Sequence, residues 1–172
     1  HAAMPAIVNA IFNHHNFTLI ILPNGTTAMT GHQDHPGTGH NFDMETPPIP
    51  IKQVLAGLGV TNIREVDSYA QKKLTEMVKA ATEEEGFKVI LASHPCMLKN
   101  VREQKRAGLF KYNKAVVDQN KCKKLLACVA AFACPAYQRN PDGTISVNNN
   151  LCIGDGSCVQ TCSAGSIKID VK

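Results

Sequence analysis

Apolar residues in the first hundred positions recur with two alternating periods, one helical and one typical of buried strands. Ile7, Ala10 and Ile11 recur at helical spacing, whereas residues 17–22 form a continuous run rich in β-forming residues. The predicted elements are helices over residues 2–15, 51–58 and 69–84 and strands over residues 17–22, 62–66 and 87–93. Because helices and strands alternate, right-handed crossovers and a parallel α/β sheet are expected.

A long segment, residues 23–50, interrupts this alternation and shows neither period. It is rich in Gly, Pro, Thr and His. Segments of this length without secondary structure are uncommon in compact domains and are often functional. We therefore expect a functional loop after the first strand.

The pattern weakens after Pro95, where residues 96–110 are strongly charged and predict a linker or a segment that faces another subunit. From Lys111 onward the chain predicts short strands, short helices and a concentration of cysteines. Within this part, residues 111–139 and 144–172 resemble each other weakly. The predicted organisation is an α/β domain over residues 1–95, a linker over 96–110 and a small α+β domain over 111–172.

Composition excludes several classes of protein. The chain has 172 residues, 44% of them hydrophobic, and its net charge of +4 is too mild to argue by itself for nucleic-acid binding. No apolar run approaches the roughly 18 residues of a membrane span, and no signal peptide is predicted. We therefore expect a cytoplasmic protein that binds neither membranes nor nucleic acid.

The seven cysteines are unevenly placed along the chain. Cys96 stands alone at the end of a predicted strand and is interpreted as structural. The other six lie in the last third of the chain, at Cys122, Cys128, Cys134, Cys152, Cys158 and Cys162. Because nothing in the sequence predicts secretion, metal ligation is favoured over disulfide formation.

These six cysteines follow the bacterial ferredoxin pattern Cys-x2-Cys-x2-Cys-x3-Cys-Pro in two halves. The halves contain Cys122, Cys128 and Cys134-Pro135, and Cys152, Cys158 and Cys162-Ser163. The second cysteine of each half is missing, with Leu125 in one place and Asp155 in the other. Ser163 stands where the pattern has proline.

In the ferredoxin pattern the fourth cysteine of each half binds the cluster of the other half. The first site is then Cys122, Cys128 and Cys162, and the second is Cys134, Cys152 and Cys158 with Asp155 as an oxygen ligand. Leucine cannot bind iron, so the first site favours a three-iron cluster or a four-iron cluster with an exogenous ligand. The second favours a three-iron or an Asp-ligated four-iron cluster. The alternatives are ordinary buried or disulfide-bonded cysteines, and a domain that has lost its clusters.

Oxygen ligands follow the first predicted strand. Ligands of parallel α/β sheets bind at the carboxyl ends of strands, where Asn24 is placed. The side-chain oxygen of Asn24 and the carbonyl of Thr26 suit Mg²⁺, and the hydroxyls of Thr27 and Thr30 could reach a diphosphate. Gly25 allows a sharp turn. The local alternative is an ordinary Asn-Gly turn.

A resemblance to indolepyruvate:ferredoxin oxidoreductase large subunits is carried by three runs, Asn24-Gly-Thr-Thr-Ala-Met-Thr-Gly-His-Gln33, His35-Pro-Gly-Thr-Gly39 and His1-Ala-Ala-Met-Pro-Ala-Ile-Val-Asn-Ala10. It implies that thiamine diphosphate is bound by what we call the 24–33 loop, that is Asn24, Gly25, Thr26, Thr27, Ala28, Met29, Thr30, Gly31, His32 and Gln33. It also implies that Asn24 and Thr26 hold Mg²⁺ and that His32, the candidate catalytic residue, lies near the substrate. A metal site formed by His32, His35 and His40 is the disfavoured alternative.

The chain departs from this family in two respects. Pro23 stands where the family usually has Asp, at a position that is not a metal ligand. The Gly-Asp-Gly/Ser element that supplies a Mg²⁺ aspartate is expected upstream of His1, and the acidic residue that activates the cofactor has no candidate within the chain. The cofactor site of these 172 residues is therefore expected to be incomplete, and the chain alone is expected to be inactive.

The resemblance implies oxidative decarboxylation of an arylpyruvate, such as indolepyruvate, to an arylacetyl-CoA. The implied cofactors are thiamine diphosphate, Mg²⁺ and two iron–sulfur clusters of the 4Fe-4S or 3Fe-4S type. The implied partners are the small beta subunit of the oxidoreductase, ferredoxin, coenzyme A and the 2-oxoacid. A non-catalytic electron-transfer module, or a subunit with degenerate clusters, remains the alternative function.

Overall fold

The computed structural model describes residues 3–171 and divides the chain into two compact units at residues 100 and 101. The helices are α1 (Met4–Phe12), α2 (Ile51–Gly57), α3 (Gln71–Glu83), α4 (Met97–Arg106) and α5 (Ala127–Ala130), and a 3₁₀ helix spans Ser157–Thr161. The strands are β1 (Phe17–Ile21), β2 (Ile63–Asp67), β3 (Phe87–Ser93), β4 (Lys114–Val117), β5 (Tyr137–Arg139), β6 (Ile145–Val147) and β7 (Ile167–Asp170).

A parallel three-stranded sheet of order β1-β3-β2 forms the centre of the first unit. Strand β3 lies between the other two, with Phe17 of β1 opposite Phe87 and Ile63 of β2 opposite Val89. Its five residues 88–92 are all buried, as expected for a strand that is paired on both edges and covered on both faces. The predicted α/β class and parallel pairing are confirmed for this unit.

Alternate side chains of β3 enter two separate cores. Val89 and Leu91 pack with Ile7 of α1 and Leu55 of α2 on one face. Ile90 and Ala92 pack with Ala81 of α3 on the other face. Helices therefore cover both sides of the sheet, and the carboxyl ends of its strands emerge along one edge.

Lys88 is an exception to the apolar character of β3, because it is only 2% exposed. Its ammonium group donates a hydrogen bond to the side-chain oxygen of Asn16 at 3.2 Å and another to the backbone carbonyl of Glu84. These two acceptors offset the desolvation of the charge.

The second unit is built from two antiparallel strand pairs. Strand β4 pairs with β7, with Lys114 opposite Asp170, and β5 pairs with β6, with Tyr137 opposite Val147. Its core contains Ala115, Tyr137, Ile145, Cys158 and Ile167. The other five cysteines of residues 101–172 pack against this core.

The structure differs from the predicted elements most clearly in two places: α1 ends earlier than predicted, and the predicted linker contains a helix. Helix α1 stops at Phe12 rather than residue 15, because Asn13 folds back onto Asn9 and His14 adopts a left-handed conformation with φ of 51°. The predicted first residue of that helix, Ala2, lies outside the described residues. Most of the charged segment predicted to be a linker, residues 96–110, forms α4, whose last turn carries the favourable cations Lys105 and Arg106.

Candidate functional site

The three strand ends of the first unit are joined to one another by backbone hydrogen bonds. The amide of His94, after β3, donates to the carbonyl of Pro23, after β1, at 3.1 Å. The amide of Cys96 donates to the carbonyl of Asn24 at 2.8 Å, and the amide of Ser68, after β2, donates to the carbonyl of Ser93 at 3.2 Å. The 24–33 loop therefore begins at the carboxyl edge of the sheet and is held there by the chain that leaves β3.

The first residues of this loop have the oxygen atoms that Mg²⁺ prefers. The side-chain oxygen of Asn24 accepts a hydrogen bond from the Thr26 amide at 3.1 Å, and an amide oxygen retains a second lone pair. Gly25 has φ of 72°, which a residue with a side chain rarely adopts. Thr26 is 4% exposed, and its hydroxyl donates to the carbonyl of Gln33 at 3.3 Å. Oxygen ligands of this kind fit a hard cation whose remaining ligands come from a bound diphosphate.

The remainder of the 24–33 loop closes on itself. Thr27 and Gln33 form an isolated antiparallel bridge, with the Thr27 amide donating to the Gln33 carbonyl at 2.9 Å. The Thr30 hydroxyl and the Gln33 side chain are hydrogen-bonded. Met29, at the tip, is 98% exposed. The loop thus has a fixed base and a tip that is open to solvent.

His32 contacts a residue that the sequence did not connect with it. Its Nε2 lies 3.6 Å from the sulfur of Cys96, which follows β3 by three residues. His32 also has φ of 63°, a conformation that is unusual for a residue other than glycine and is often found at functional sites. The sequence offered one indication of this contact, because Cys96 follows a buried strand and so lies at the same edge of the sheet as Asn24.

A second polar group at this edge was also missed from the sequence. The carboxylate of Asp67 lies 2.9 Å from Nδ1 of His94, and the ring of Tyr69 stacks on the His94 ring with centroids 3.5 Å apart. The Tyr69 amide donates to Asp67 at 2.8 Å. This hydrogen bond, followed by the interaction with His94, lowers the pKa of Asp67 below its usual value.

The three histidines of the alternative metal site have different partners. His32 contacts Cys96, His35 accepts from the Gly37 amide at 3.1 Å, and His40 pairs with Asp34 at 3.3 Å. Across residues 3–171, no group of three or more His, Cys, Asp or Glu side chains is arranged to hold a single metal ion.

In the second unit, three of the predicted cluster ligands line one cavity. Cys122 and Cys128, from the continuous run 122–128, meet Cys162 there from a distant segment. Leu125, 62% exposed, lines the same cavity at the position where the pattern lacks its cysteine. Burial raises the pKa of Cys128, and the neighbouring Cys122 and Cys162 raise it further. These three sulfurs therefore form one electrostatic group.

The cysteines of the second predicted site share one core, in which Cys158 is buried and against which Cys134 and Cys152 pack. Cys158 is 6% exposed, and burial raises its pKa, with Asp155 and Cys152 raising it further. The Tyr137 amide donates to the carbonyl of Cys134 at 3.1 Å, and the Tyr137 side chain shares a buried core with Cys158. The carboxylate of Asp155 accepts hydrogen bonds from the amide of Ser157 at 3.1 Å and from its hydroxyl at 2.9 Å. Asp155 therefore orders the start of the 3₁₀ helix, a role that the sequence did not indicate.

Two sulfurs of the second unit accept hydrogen bonds from backbone amides. The amide of Ala115 donates to Cys152 at 3.3 Å, and the amide of Ser166 donates to Cys162 at 3.4 Å. The Ser166 hydroxyl lies 3.0 Å from the Cys162 sulfur. All seven cysteines of the chain are free thiols. The arrangement is suited to sulfur ligation, and a cluster of several irons needs its thiolates farther apart than a single ion does.

Backbone strain is concentrated between Cys122 and Cys134. Among the described residues, five that are not glycine have positive φ, and three of them, Lys124, Leu126 and Ala133, lie between Cys122 and Cys134. Such conformations cost free energy and persist only where the surrounding structure imposes them. The cysteine loops are therefore held in a shape that local propensity does not favour.

The profile of the thiamine pyrophosphate enzyme C-terminal TPP-binding domain matches residues 1–92. The chain belongs to the thiamine pyrophosphate enzymes. The parallel three-stranded sheet with helices on both faces fits this domain, and the 24–33 loop lies within the matched residues. Thiamine diphosphate binding by the first unit is accordingly supported by sequence and fold together.

The chain is also similar over nearly its whole length to indolepyruvate oxidoreductase subunits IorA. It is 35% identical to that of Archaeoglobus fulgidus over 169 residues, which cover 98% of this chain and 26% of the relative. For Methanothermobacter thermautotrophicus the identity is 35% over 173 residues, covering 100% and 27%. For Thermococcus kodakarensis it is 35% over 163 residues, covering 94% and 25%. The resemblance predicted from the sequence is confirmed.

The chain spans about a quarter of the length of the curated relatives it matches. No solved structure matches it. Among residues 3–171, none of the helices is long and apolar enough to cross a membrane.

Proposed function

We propose that this chain supplies part of the thiamine diphosphate site and the electron exit of an oxidoreductase that converts an arylpyruvate and coenzyme A to carbon dioxide and an arylacetyl-CoA. Two electrons leave singly through two iron–sulfur clusters to ferredoxin, and a small beta subunit completes the enzyme. The observation that carries the proposal is the convergence of Cys122, Cys128 and Cys162 on one cavity in a chain that also contains a thiamine diphosphate-binding domain.

In the first unit, the proposed roles fall on residues of the 24–33 loop, which begins at the carboxyl edge of the sheet. Asn24, whose side-chain oxygen also accepts from the Thr26 amide, and the backbone carbonyl of Thr26 would hold Mg²⁺. Thiamine diphosphate, when bound, supplies the electron sink for decarboxylation of the 2-oxoacid. His32, whose Nε2 contacts the sulfur of Cys96, would lie near the substrate and is the candidate for moving a proton. The Mg²⁺ aspartate and the acidic activator come from parts of the enzyme outside this chain.

In the second unit, residues 111–172 act as a small ferredoxin-like domain with two unequal sites. The first site has three thiolates, from Cys122, Cys128 and Cys162, and Leu125 at its fourth corner. The second has the thiolates of Cys134, Cys152 and Cys158 and the carboxylate of Asp155. Iron–sulfur clusters held by these residues would supply the one-electron steps between the cofactor and ferredoxin.

Charge supports ferredoxin as the partner of the second unit. Residues 111–172 contain eight Lys or Arg and four Asp, with no Glu. Lys121, Lys123 and Lys124 are exposed around Cys122. A basic surface beside an electron-exit site attracts an acidic protein and accelerates its docking. The rate of ferredoxin reduction is therefore expected to fall steeply as salt rises.

Thiamine diphosphate titration at limiting Mg²⁺, in the complete subunit, tests the first unit. Asn24→Ala removes an oxygen ligand and is expected to weaken cofactor binding about 10-fold or more. Asn41→Ala is the matched control, because Asn41 also forms an Asn turn, with the amide of Asp43 at 2.8 Å, but lies outside the 24–33 loop. Equal cofactor affinity in the wild type and Asn24→Ala would exclude Asn24 as a ligand.

Iron and sulfide analysis after anaerobic reconstitution tests the second unit. Two clusters are expected in the wild type. Binding of thiamine diphosphate by the complete subunit without uptake of iron would favour the alternative of a subunit with degenerate clusters. This alternative is the leading rival because Leu125 stands where a ligand is expected. Iron uptake without cofactor binding would favour an electron-transfer module.

A further inference from the structure

Tyr137, the first residue of β5, places a phenol inside the cysteine-lined core of the second unit. The residue is 6% exposed and packs with Ala115, Ile145 and Cys158. Its hydroxyl oxygen is buried and has no hydrogen-bond partner among residues 3–171. A buried hydroxyl without a partner is costly, so its retention calls for an acceptor at this point.

The groups around this hydroxyl are sulfurs. Burial raises the pKa of Tyr137 well above its usual range, and Cys158, Cys128 and Cys134 raise it further. The Cys158 sulfur is near enough to interact with the hydroxyl, although the two do not form a hydrogen bond of regular geometry. Cys158, which shares the buried core with Tyr137, and Cys134, whose carbonyl accepts from the Tyr137 amide at 3.1 Å, both belong to the second proposed site.

Ser166 shows what a buried hydroxyl does in the other half of the unit. It is 2% exposed, and its hydroxyl lies 3.0 Å from the sulfur of Cys162, a residue of the first site. The hydroxyl of Ser166 therefore has a sulfur partner already, whereas that of Tyr137 is buried without a hydrogen-bond partner among the described residues. A sulfur of the second proposed site would give the Tyr137 hydroxyl an acceptor of the same element as the partner of Ser166.

We propose that the Tyr137 hydroxyl donates a hydrogen bond to a sulfur of the cluster held by Cys134, Cys152 and Cys158, and thereby raises the reduction potential of that cluster. This inference rests on the proposed presence of the clusters. A reduced cluster carries one more negative charge than an oxidised one, so a donor stabilises the reduced state more. Because the site is buried, little solvent screens this effect.

The test compares Tyr137→Phe with the wild type after anaerobic reconstitution of the chain. Phenylalanine keeps the buried ring and removes only the donor. The matched control is Tyr112→Phe, because Tyr112 belongs to the same unit but is 62% exposed. The midpoint potential of each cluster is measured by a redox titration followed by EPR. Coupling of exchangeable protons to the paramagnetic cluster is measured by ENDOR in H₂O and D₂O.

The expected result is a shift of one midpoint to lower potential in Tyr137→Phe, with a smaller shift or none at the other cluster and none in Tyr112→Phe. One exchangeable proton coupling should disappear in the same variant. A full complement of iron and sulfide with unchanged potentials and couplings would overturn this inference alone. Absence of iron and sulfide from the reconstituted wild type would overturn the cluster proposal, and this inference with it.

Discussion

The sulfur of Cys96 lies 3.6 Å from Nε2 of His32, so the chain that leaves β3 contacts the 24–33 loop through a side chain as well as through its backbone. The backbone link is the hydrogen bond from the Cys96 amide to the Asn24 carbonyl. Together they fix both ends of the loop, Asn24 at its start and His32 near its end. A cysteine that the sequence analysis interpreted as structural therefore contacts the 24–33 loop at the carboxyl edge of the sheet.

A double-mutant cycle should detect this contact. Cys96→Ala and His32→Ala are expected to be non-additive in the free energy of unfolding by about 0.5 kcal/mol or more, because the two side chains are in contact. The matched cycle pairs Cys96→Ala with His40→Ala, since His40 pairs with Asp34 instead. Chemical denaturation of the four chains in each cycle gives the values. Additivity in the first cycle would show that the sulfur does not hold His32.

The ion pair of Arg64 and Glu84 predicts a dependence of stability on pH. The hydrogen bond from Arg64 lowers the pKa of Glu84 below its usual value of 4.5. Glu84 therefore contributes stability that is fully present above that value and is lost as the pH falls through the lower pKa of the folded state.

Glu84→Gln tests this, with the exposed Glu85→Gln as the control for the change in charge. The loss of stability relative to wild type should be full at about pH 6 and above and should shrink below pH 4.5. Denaturation by urea over a pH series measures it. A loss in Glu84→Gln that is constant with pH, or equal to that in Glu85→Gln, would contradict the prediction.

The sequence predicted the first unit well, because its strands are marked by continuous apolar runs. The predicted strand over residues 87–93 has the observed bounds of β3, and the run at 17–22 is one residue longer than β1. Helix α3 begins at Gln71 rather than at residue 69, because Asp67 holds the Tyr69 amide in a turn. Local hydrogen bonds of this kind shift the ends of elements without changing their type.

What the sequence could not predict are the contacts made between distant segments. The pairs Cys96 with His32 and His94 with Asp67 depend on the order β1-β3-β2, which hydrophobic periodicity does not specify. Tyr137 is a further example, because its strand is only three residues long and gives no clear alternation. The cysteine ligand sets stay predictions, resting on spacing and on the cavity that collects Cys122, Cys128 and Cys162.

Two glycine positions of the second unit are expected to tolerate a side chain very differently. Gly154 and Gly165 both have positive φ, 73° and 62°. A Cβ on Gly154 would overlap the backbone carbonyl of Asn113, whereas one on Gly165 would meet nothing within 4 Å. Gly165→Ala should therefore cost about 1 kcal/mol from conformation alone, and Gly154→Ala about 3 kcal/mol or more.

Protection of the buried Cys158 from alkylation, in the reduced and iron-free chain, reports on this difference. Cys158 should react much faster in Gly154→Ala than in Gly165→Ala. The alanine at position 154 would push the backbone of Asn113 aside, and this movement would open the surrounding core to solvent. Equal protection in the two variants would mean that the segment around Gly154 can move aside at little cost.

The corner occupied by Leu125 predicts how the first proposed cluster changes when a thiolate is added. Leu125 lines the cavity with Cys122, Cys128 and Cys162 and is 62% exposed. The Leu125→Cys variant is therefore expected to fold, with its thiol facing that cavity. Leu125→Cys should complete four-thiolate ligation and replace a three-iron cluster by a four-iron one. Leu109→Cys is the control, because it adds an exposed thiol to the same unit at a position outside the cavity.

Low-temperature EPR of anaerobically reconstituted chains distinguishes the cluster types, because a three-iron cluster is paramagnetic when oxidised and a low-potential four-iron cluster when reduced. Leu125→Cys should lose oxidised signal and gain reduced signal, while Leu109→Cys resembles the wild type. Asp155→Cys should stabilise a four-iron cluster at the second site, since thiolate binds iron better than carboxylate does. It also removes the acceptor for the Ser157 amide, so a smaller gain than in Leu125→Cys is expected. If the wild type already gives two four-iron signals that neither variant changes, the missing ligands are supplied from elsewhere and positions 125 and 155 are not the open corners.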